Sequence, residues 1–126
     1  MLSKSTVCAT LPFLGLRAAP DFYGKKLGLK LAGGSVEEGW LEYEAGGGTR
    51  LELFESDSKK SDDTAATFEV DDLAKEMADL RKKGVKFEDY DLPGIKTVNG
   101  VAKMGGVEAA WFKDPGGNVI AVMQKA

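Results

Sequence analysis

The chain contains no histidine. That removes the commonest metal ligand and the commonest general acid–base side chain from its chemistry. A single cysteine, Cys8, excludes an internal disulfide and a zinc site closed by thiolates. No apolar stretch approaches the roughly 18 residues that a membrane-spanning helix needs. The opening run MLSKSTVCATLPFLGL is too polar at its start and too short in its apolar part for a signal peptide, so the cytoplasm is the expected compartment. Basic excess is lacking as well: 17 Lys and Arg against 20 Asp and Glu leave a net charge of -3. The one tight basic cluster, Arg81-Lys82-Lys83, ends a predicted helix, where positive charge complements the helix dipole. Neither nucleic acid nor a membrane is therefore an expected partner.

What is present is ordinary globular composition, with 43% hydrophobic and 29% charged residues over 126 positions, enough for one domain that needs no staples. Leu16, Ala19, Phe22, Tyr23 and Leu27 recur at helical spacing, with Pro20 tolerable in an early turn and Gly28 as the stop. A second helix is predicted from Asp71 or Asp72, either able to cap, through Leu73, Met77 and Leu80 to Gly84.

The two helices end alike, KKLGLK at 25–30 against RKKGVK at 81–86. Each follows an extended apolar run (Val7 to Leu14, Ala65 to Val70), and each precedes a hairpin with a glycine turn, 40–54 and 109–123. The hairpins align without a gap, which sets Glu42 on Trp111, Tyr43 on Phe112 and Glu52 on Ala121. The chain reads as a duplication. A first module covers about 1–56, the polar stretch 57–63 links, and a second module covers about 64–126, all within a single domain. The second module carries an extra segment, 86–104, expected to act as a lid or specificity element because it breaks the repeat.

Strand alternation sorts each hairpin into two faces. Leu41, Tyr43, Leu51 and Leu53 share the side that needs a helix; Trp40, Glu42, Glu44, Arg50, Glu52 and Phe54 share the other. Pairing Ala45 with Thr49 sets Glu44 opposite Arg50, Glu42 opposite Glu52 and Trp40 opposite Phe54. In the second hairpin Ala110, Phe112, Ile120 and Val122 take the helix side. Ala109, Trp111, Lys113, Val119, Ala121 and Met123 take the open side. Charges mixed with large aromatics suit a wall that meets a ligand, or a second subunit, rather than plain solvent.

The run from Ala9-Thr10-Leu11-Pro12 to Phe22-Tyr23 and Leu27-Gly28-Leu29 resembles the module opening of the glyoxalase/bleomycin-resistance (vicinal oxygen chelate) superfamily. So does Phe68-Glu69-Val70-Asp71-Asp72-Leu73 to Lys83-Gly84-Val85, and Trp111-Phe112-Lys113-Asp114-Pro115-Gly116-Gly117-Asn118 is similar to its closing turn. The resemblance implies an α+β fold of two tandem βαβββ modules, whose curled mixed sheets form a cavity. It also implies four metal-facing positions in enzyme members, which fall here on Cys8, Ala65, Glu52 and Ala121. Alanine binds no metal. One carboxylate and one thiolate fall short of the three protein ligands of a catalytic zinc site, so no metal and no cofactor is expected.

What the resemblance leaves is a metal-independent small-molecule binding protein of sequestration or resistance type, working as a homodimer. Its expected lining is Cys8, Thr10, Trp40, Glu42, Arg50, Glu52, Phe54, Thr67, Trp111, Ala121 and Met123. The glutamates would favour a cationic group and the tryptophans a planar one. The alternative is a lyase- or isomerase-type enzyme with a non-standard site, in which Cys8 acts as nucleophile and Glu52 as base. A third reading turns the open face into a protein interface.

Overall fold

A computed structural model describes residues 2–58 and 61–125. Lys59 and Lys60 of the expected linker, with Met1 and Ala126, lie outside the described residues. The fold is α+β, and its framework divides into two compact units. One is Met1–Lys60 with Pro115–Gly117; the other is Ser61–Asp114 with Asn118–Ala126.

The first unit is a four-stranded sheet of β1 (Cys8–Phe13), β2 (Lys30–Ser35), β3 (Trp40–Glu44) and β4 (Arg50–Glu55), in the order β1-β4-β3-β2. Strands β1 and β4 run parallel and the other pairs antiparallel. The hairpin register is the expected one: Glu44 faces Arg50, Glu42 faces Glu52 and Trp40 faces Phe54. Alternation buries Leu11, Phe13, Leu41, Tyr43, Leu51 and Leu53. With them are buried Leu16, Ala19, Phe22 and Tyr23 from the connection between β1 and β2. The Tyr23 ring stacks on Tyr43 at 6.0 Å.

That connection is not the single α-helix its periodicity predicts. Leu16–Ala18 form a 3-10 turn, and Pro20–Lys26 form a seven-residue π-helix. Pro20 has no N–H with which to continue the 3-10 ladder. The helix then closes wide, with Leu27 N–H donating to the Phe22 carbonyl five residues back at 2.9 Å. Its entry is held from β4, where the Glu55 carboxylate accepts from the backbone N–H groups of Gly15 (2.9 Å) and Leu16 (3.1 Å).

The second unit repeats the plan. Its strands are β5 (Thr64–Glu69), the short pair β6 (Asp91–Leu92) and β7 (Ile95–Lys96), β8 (Ala102–Met104), β9 (Val107–Lys113) and β10 (Val119–Lys125). The main sheet runs β5-β10-β9-β8, again with its first pair parallel. Helix α1 (Leu73–Lys82) is capped by Asp72, whose carboxylate accepts from Lys75 N–H at 3.1 Å, and it buries Leu73 and Met77. The closing turn is fixed by two buried side chains. Asp114 accepts from both the backbone N–H (2.8 Å) and the side-chain amide (3.0 Å) of Asn118.

One expectation is corrected. The side of the second hairpin read as open is largely covered: Ala109, Trp111, Val119 and Ala121 are 3–7% exposed. Ala102, Tyr90, Ile95 and Met104, all from the inserted segment, complete an apolar cluster with them and Met123. Alternation assigns a residue to a face correctly but carries no information on what another segment lays over it.

Candidate functional site

The first unit gathers the charged candidates. Cys8 lies on β1, Glu42 on β3 and Glu52 on β4 between them. One donor atom from each lies within 4.8 Å of the others, and all three side chains are half-buried. Thr10, exposed, is the β1 residue paired with Glu52. Backbone pairing sets Arg50 opposite Glu44, yet its guanidinium reaches along the diagonal, Nη1 lying 3.6 Å from Oε2 of Glu42. The Cys8 thiol points to the neighbouring Ala9 carbonyl at 3.6 Å.

Aromatic side chains flank the pair of carboxylates one strand repeat away. Trp40 is half-buried and Phe54, its cross-strand partner, is 36% exposed. The indole of Trp40 lies over the backbone of Gly33 and Gly34. A methyl group at Gly34 would run into the Trp40 backbone carbonyl first and then the ring, and Gly34 also holds φ +79°, a region that side-chain-bearing residues avoid. Glycine at 34 thus leaves room for the tryptophan, a role that periodicity did not signal.

In the second unit the candidates have different surroundings. Thr67 is exposed and Met123 half-buried, while Trp111 and Ala121 sit inside the apolar cluster. Trp111 is held twice: its indole N–H donates to Thr64 Oγ1 at 3.1 Å, and its ring meets Tyr90 edge-on at 5.6 Å.

Two features escaped the sequence reading. Glu42 joins Cys8 and Glu52 as a third potential metal donor, because a donor count taken position by position from a resemblance passes over a residue supplied by the adjacent strand. Tyr90, which covers Trp111, lies in the insertion, where no repeat partner points to it.

The superfamily model for glyoxalase, bleomycin resistance protein and dioxygenase matches residues 15–122, which is most of the chain and both hairpins. The chain belongs to that superfamily. Solved structures agree on the fold. The antibiotic binding protein TnmS3 from Streptomyces sp. CB03234 superposes with a TM-score of 0.71 at 23% identity, covering 100% of this chain and 99% of that one. A glyoxalase/bleomycin resistance protein/dioxygenase superfamily member from Sphaerobacter thermophilus gives 0.75 at 20%, covering 99% and 100%. A lactoylglutathione lyase from Agrobacterium tumefaciens gives 0.69 at 18%, covering 98% and 96%. A search of the curated proteins gave no match. Among superfamily neighbours both binding proteins and enzymes occur, so the fold alone does not choose between them. No helix among the described residues is long and apolar enough to cross a membrane.

Proposed function

We propose that this superfamily member is a metal-independent small-molecule binding protein, of sequestration or resistance type, that takes a planar or cationic guest on the face of its first sheet. The observation that carries the reading is the pairing of Glu42 with Glu52 beside Trp40 with Phe54. Paired carboxylates attract a cation, and the aromatic pair one repeat along offers it a flat apolar neighbour. Cys8, Thr10 and Arg50 border this face; Thr67 and Met123 are assigned the corresponding role in the second unit, where Trp111 and Ala121 are covered and take no part in it. Arg50 favours a metal-free state, because its guanidinium already provides positive charge beside Glu42 at 3.6 Å. That one solved neighbour is an antibiotic binding protein is compatible with the same role. Homodimerisation and a cytoplasmic setting complete the proposal.

The triad of donors favours a second reading. A thiolate and two carboxylates within 4.8 Å fit a zinc-type divalent ion in number and kind, with room for a further ligand. Cys8, Glu42 and Glu52 would hold the ion, which would supply Lewis acidity to a lyase- or isomerase-type reaction. Within that reading Arg50 would have to give up Glu42.

Native mass spectrometry with elemental analysis of the protein as purified from cells separates the two. A metal-free dimer that accepts planar organic cations supports sequestration. One tightly held divalent ion per chain, lost on Glu42→Gln or Cys8→Ser, would replace it with the metal-dependent reading.

A further inference from the structure

The insertion does more than cover the second sheet. Between its short hairpin and the sheet lies a cleft of about 280 Å³, lined by Asp62, Asp63, Thr64, Tyr90, Leu92, Ile95, Trp111 and Val119. We propose that this cleft is a second binding site, selective for a small organic monocation, an alkyl- or aryl-ammonium with an apolar body. It shares no residue with the first-sheet face described above.

The chemistry follows from the lining. Trp111, Tyr90, Ile95, Leu92 and Val119 form an apolar, partly aromatic floor and wall. Asp62 and Asp63 are both exposed, and among the described residues no lysine or arginine lines the cleft. An apolar pocket with carboxylates on one side is complementary to a positive head on an apolar body. Leu92 is 56% exposed, which leaves apolar surface for a guest to cover.

The polar groups nearest the floor do not need the guest. The Trp111 N–H is already spent on Thr64, so the ring, itself 7% exposed, offers the cleft a small aromatic patch and no hydrogen-bond donor. The roof is braced before anything binds. Tyr90 N–H donates to Thr97 Oγ1 (2.8 Å) and Thr97 N–H to the Tyr90 carbonyl (2.9 Å). Asp89 accepts from the Thr97 hydroxyl (2.9 Å) and from Gly100 N–H (3.0 Å). Preorganisation of this kind lowers the ordering cost of binding.

The test uses the intact chain and two probes of one shape, phenyltrimethylammonium and its neutral isostere tert-butylbenzene, followed by proton–nitrogen correlation NMR. The expected result is a saturable shift of the Trp111 indole N–H and of the Thr64, Tyr90 and Val119 amides with the cation. The neutral isostere should bind at least about tenfold more weakly. Asp62→Asn with Asp63→Asn, both in exposed positions, should weaken the cation by about the same factor and leave the spectrum of the free protein dispersed. A cation shift confined to the Trp40 indole and the Glu42–Glu52 strands would overturn the cleft proposal while supporting the first-sheet reading. Equal binding of both probes, undiminished binding by the double variant, or no saturable shift at Trp111 would overturn it as well.

Discussion

Glu42 and Glu52 in the first unit, and Trp111 and Ala121 in the second, occupy matching places in two copies of one hairpin. Their helix-facing neighbours have diverged little in character: Leu41, Tyr43, Leu51 and Leu53 correspond to Ala110, Phe112, Ile120 and Val122, and all are buried. The other faces have separated. In the first unit that face holds three half-buried groups able to carry negative charge and a guanidinium. In the second it is an apolar cluster that includes Ala102 of the neighbouring strand and packs against Tyr90, Ile95 and Met104. The repeat preserves backbone pairing and one buried face, and the 86–104 insertion decides the fate of the other. Where a segment covers the sheet, an unpaired carboxylate would be too costly and apolar residues take its place.

The sharpest way to break this comparison is to move the charge. Ala121→Glu places the carboxylate of Glu52 at the equivalent covered position, where Ala121 is 4% exposed. An unpartnered buried charge should cost about 3–5 kcal/mol, seen as a large fall in the urea midpoint or as failure to fold. A loss under about 1 kcal/mol would mean that the insertion lifts easily, and the contrast between the two faces would then be one of packing at rest only.

Next in size is the seat of Trp40. Gly34→Ala meets both the positive φ and the indole, and should cost about 2 kcal/mol. Tryptophan fluorescence should shift as Trp40 leaves the Gly33–Gly34 backbone. Gly94→Ala supplies the control, since it too holds a positive φ, +84°, but its added methyl meets nothing within 4 Å. Equal effects from the two variants would show that backbone strain alone is being measured.

How much of this was readable beforehand depends on the range of the interaction. The hairpin register, with Glu42 opposite Glu52, followed from strand alternation and a turn centred on glycines 46–48, both local. A cap at Asp71 or Asp72 followed from local chemistry, the structure choosing Asp72, and the repeat set Tyr43 on Phe112 with no knowledge of the fold. The π-helical turn at Pro20–Lys26 did not follow, because its spacing of apolar residues is shared by an ordinary α-helix. The cover over Trp111 did not follow either. Tyr90 and Ile95 look like exposed loop residues until the chain folds back, and that event is invisible to a window of neighbouring residues. Arg50 shows the same limit at smaller scale: its strand partner is Glu44, but a long side chain chose the diagonal Glu42.

The reverse exchange should leave stability nearly untouched. Glu52→Ala gives the first unit the residue that its counterpart already has, at a half-buried surface position with no hydrogen bond to lose among those described. The expected change is within about 0.5 kcal/mol. Binding should respond instead: a planar cation that uses the first sheet should lose at least about fivefold in affinity by calorimetry. If Glu52→Ala destabilised the protein as much as Ala121→Glu, the two faces would be equally structural and the first sheet would lose its claim to a binding role.

The finest probe compares one tyrosine from each unit. Burial raises the Tyr43 hydroxyl above its ordinary value of 10.0. Tyr90 is raised first by burial, then by the negative charges of Glu88 and Asp62. For both, the folded chain holds its proton after the unfolded chain has released it. Their contribution to stability is therefore complete below pH about 10 and declines as pH rises through the folded value. Only the second unit's tyrosine has a part that answers to salt and to charge removal. In a phenolate absorbance titration, Asp62→Asn should move the Tyr90 transition back toward 10.0 and leave that of Tyr43 where it was, with Tyr90→Phe assigning the step. A Tyr43 step that moved with it would show a change in the fold at large. An unmoved Tyr90 step would place Asp62 too far from the ring to act on it, and would leave Asp63 alone to supply the charge that the cleft offers a cationic guest.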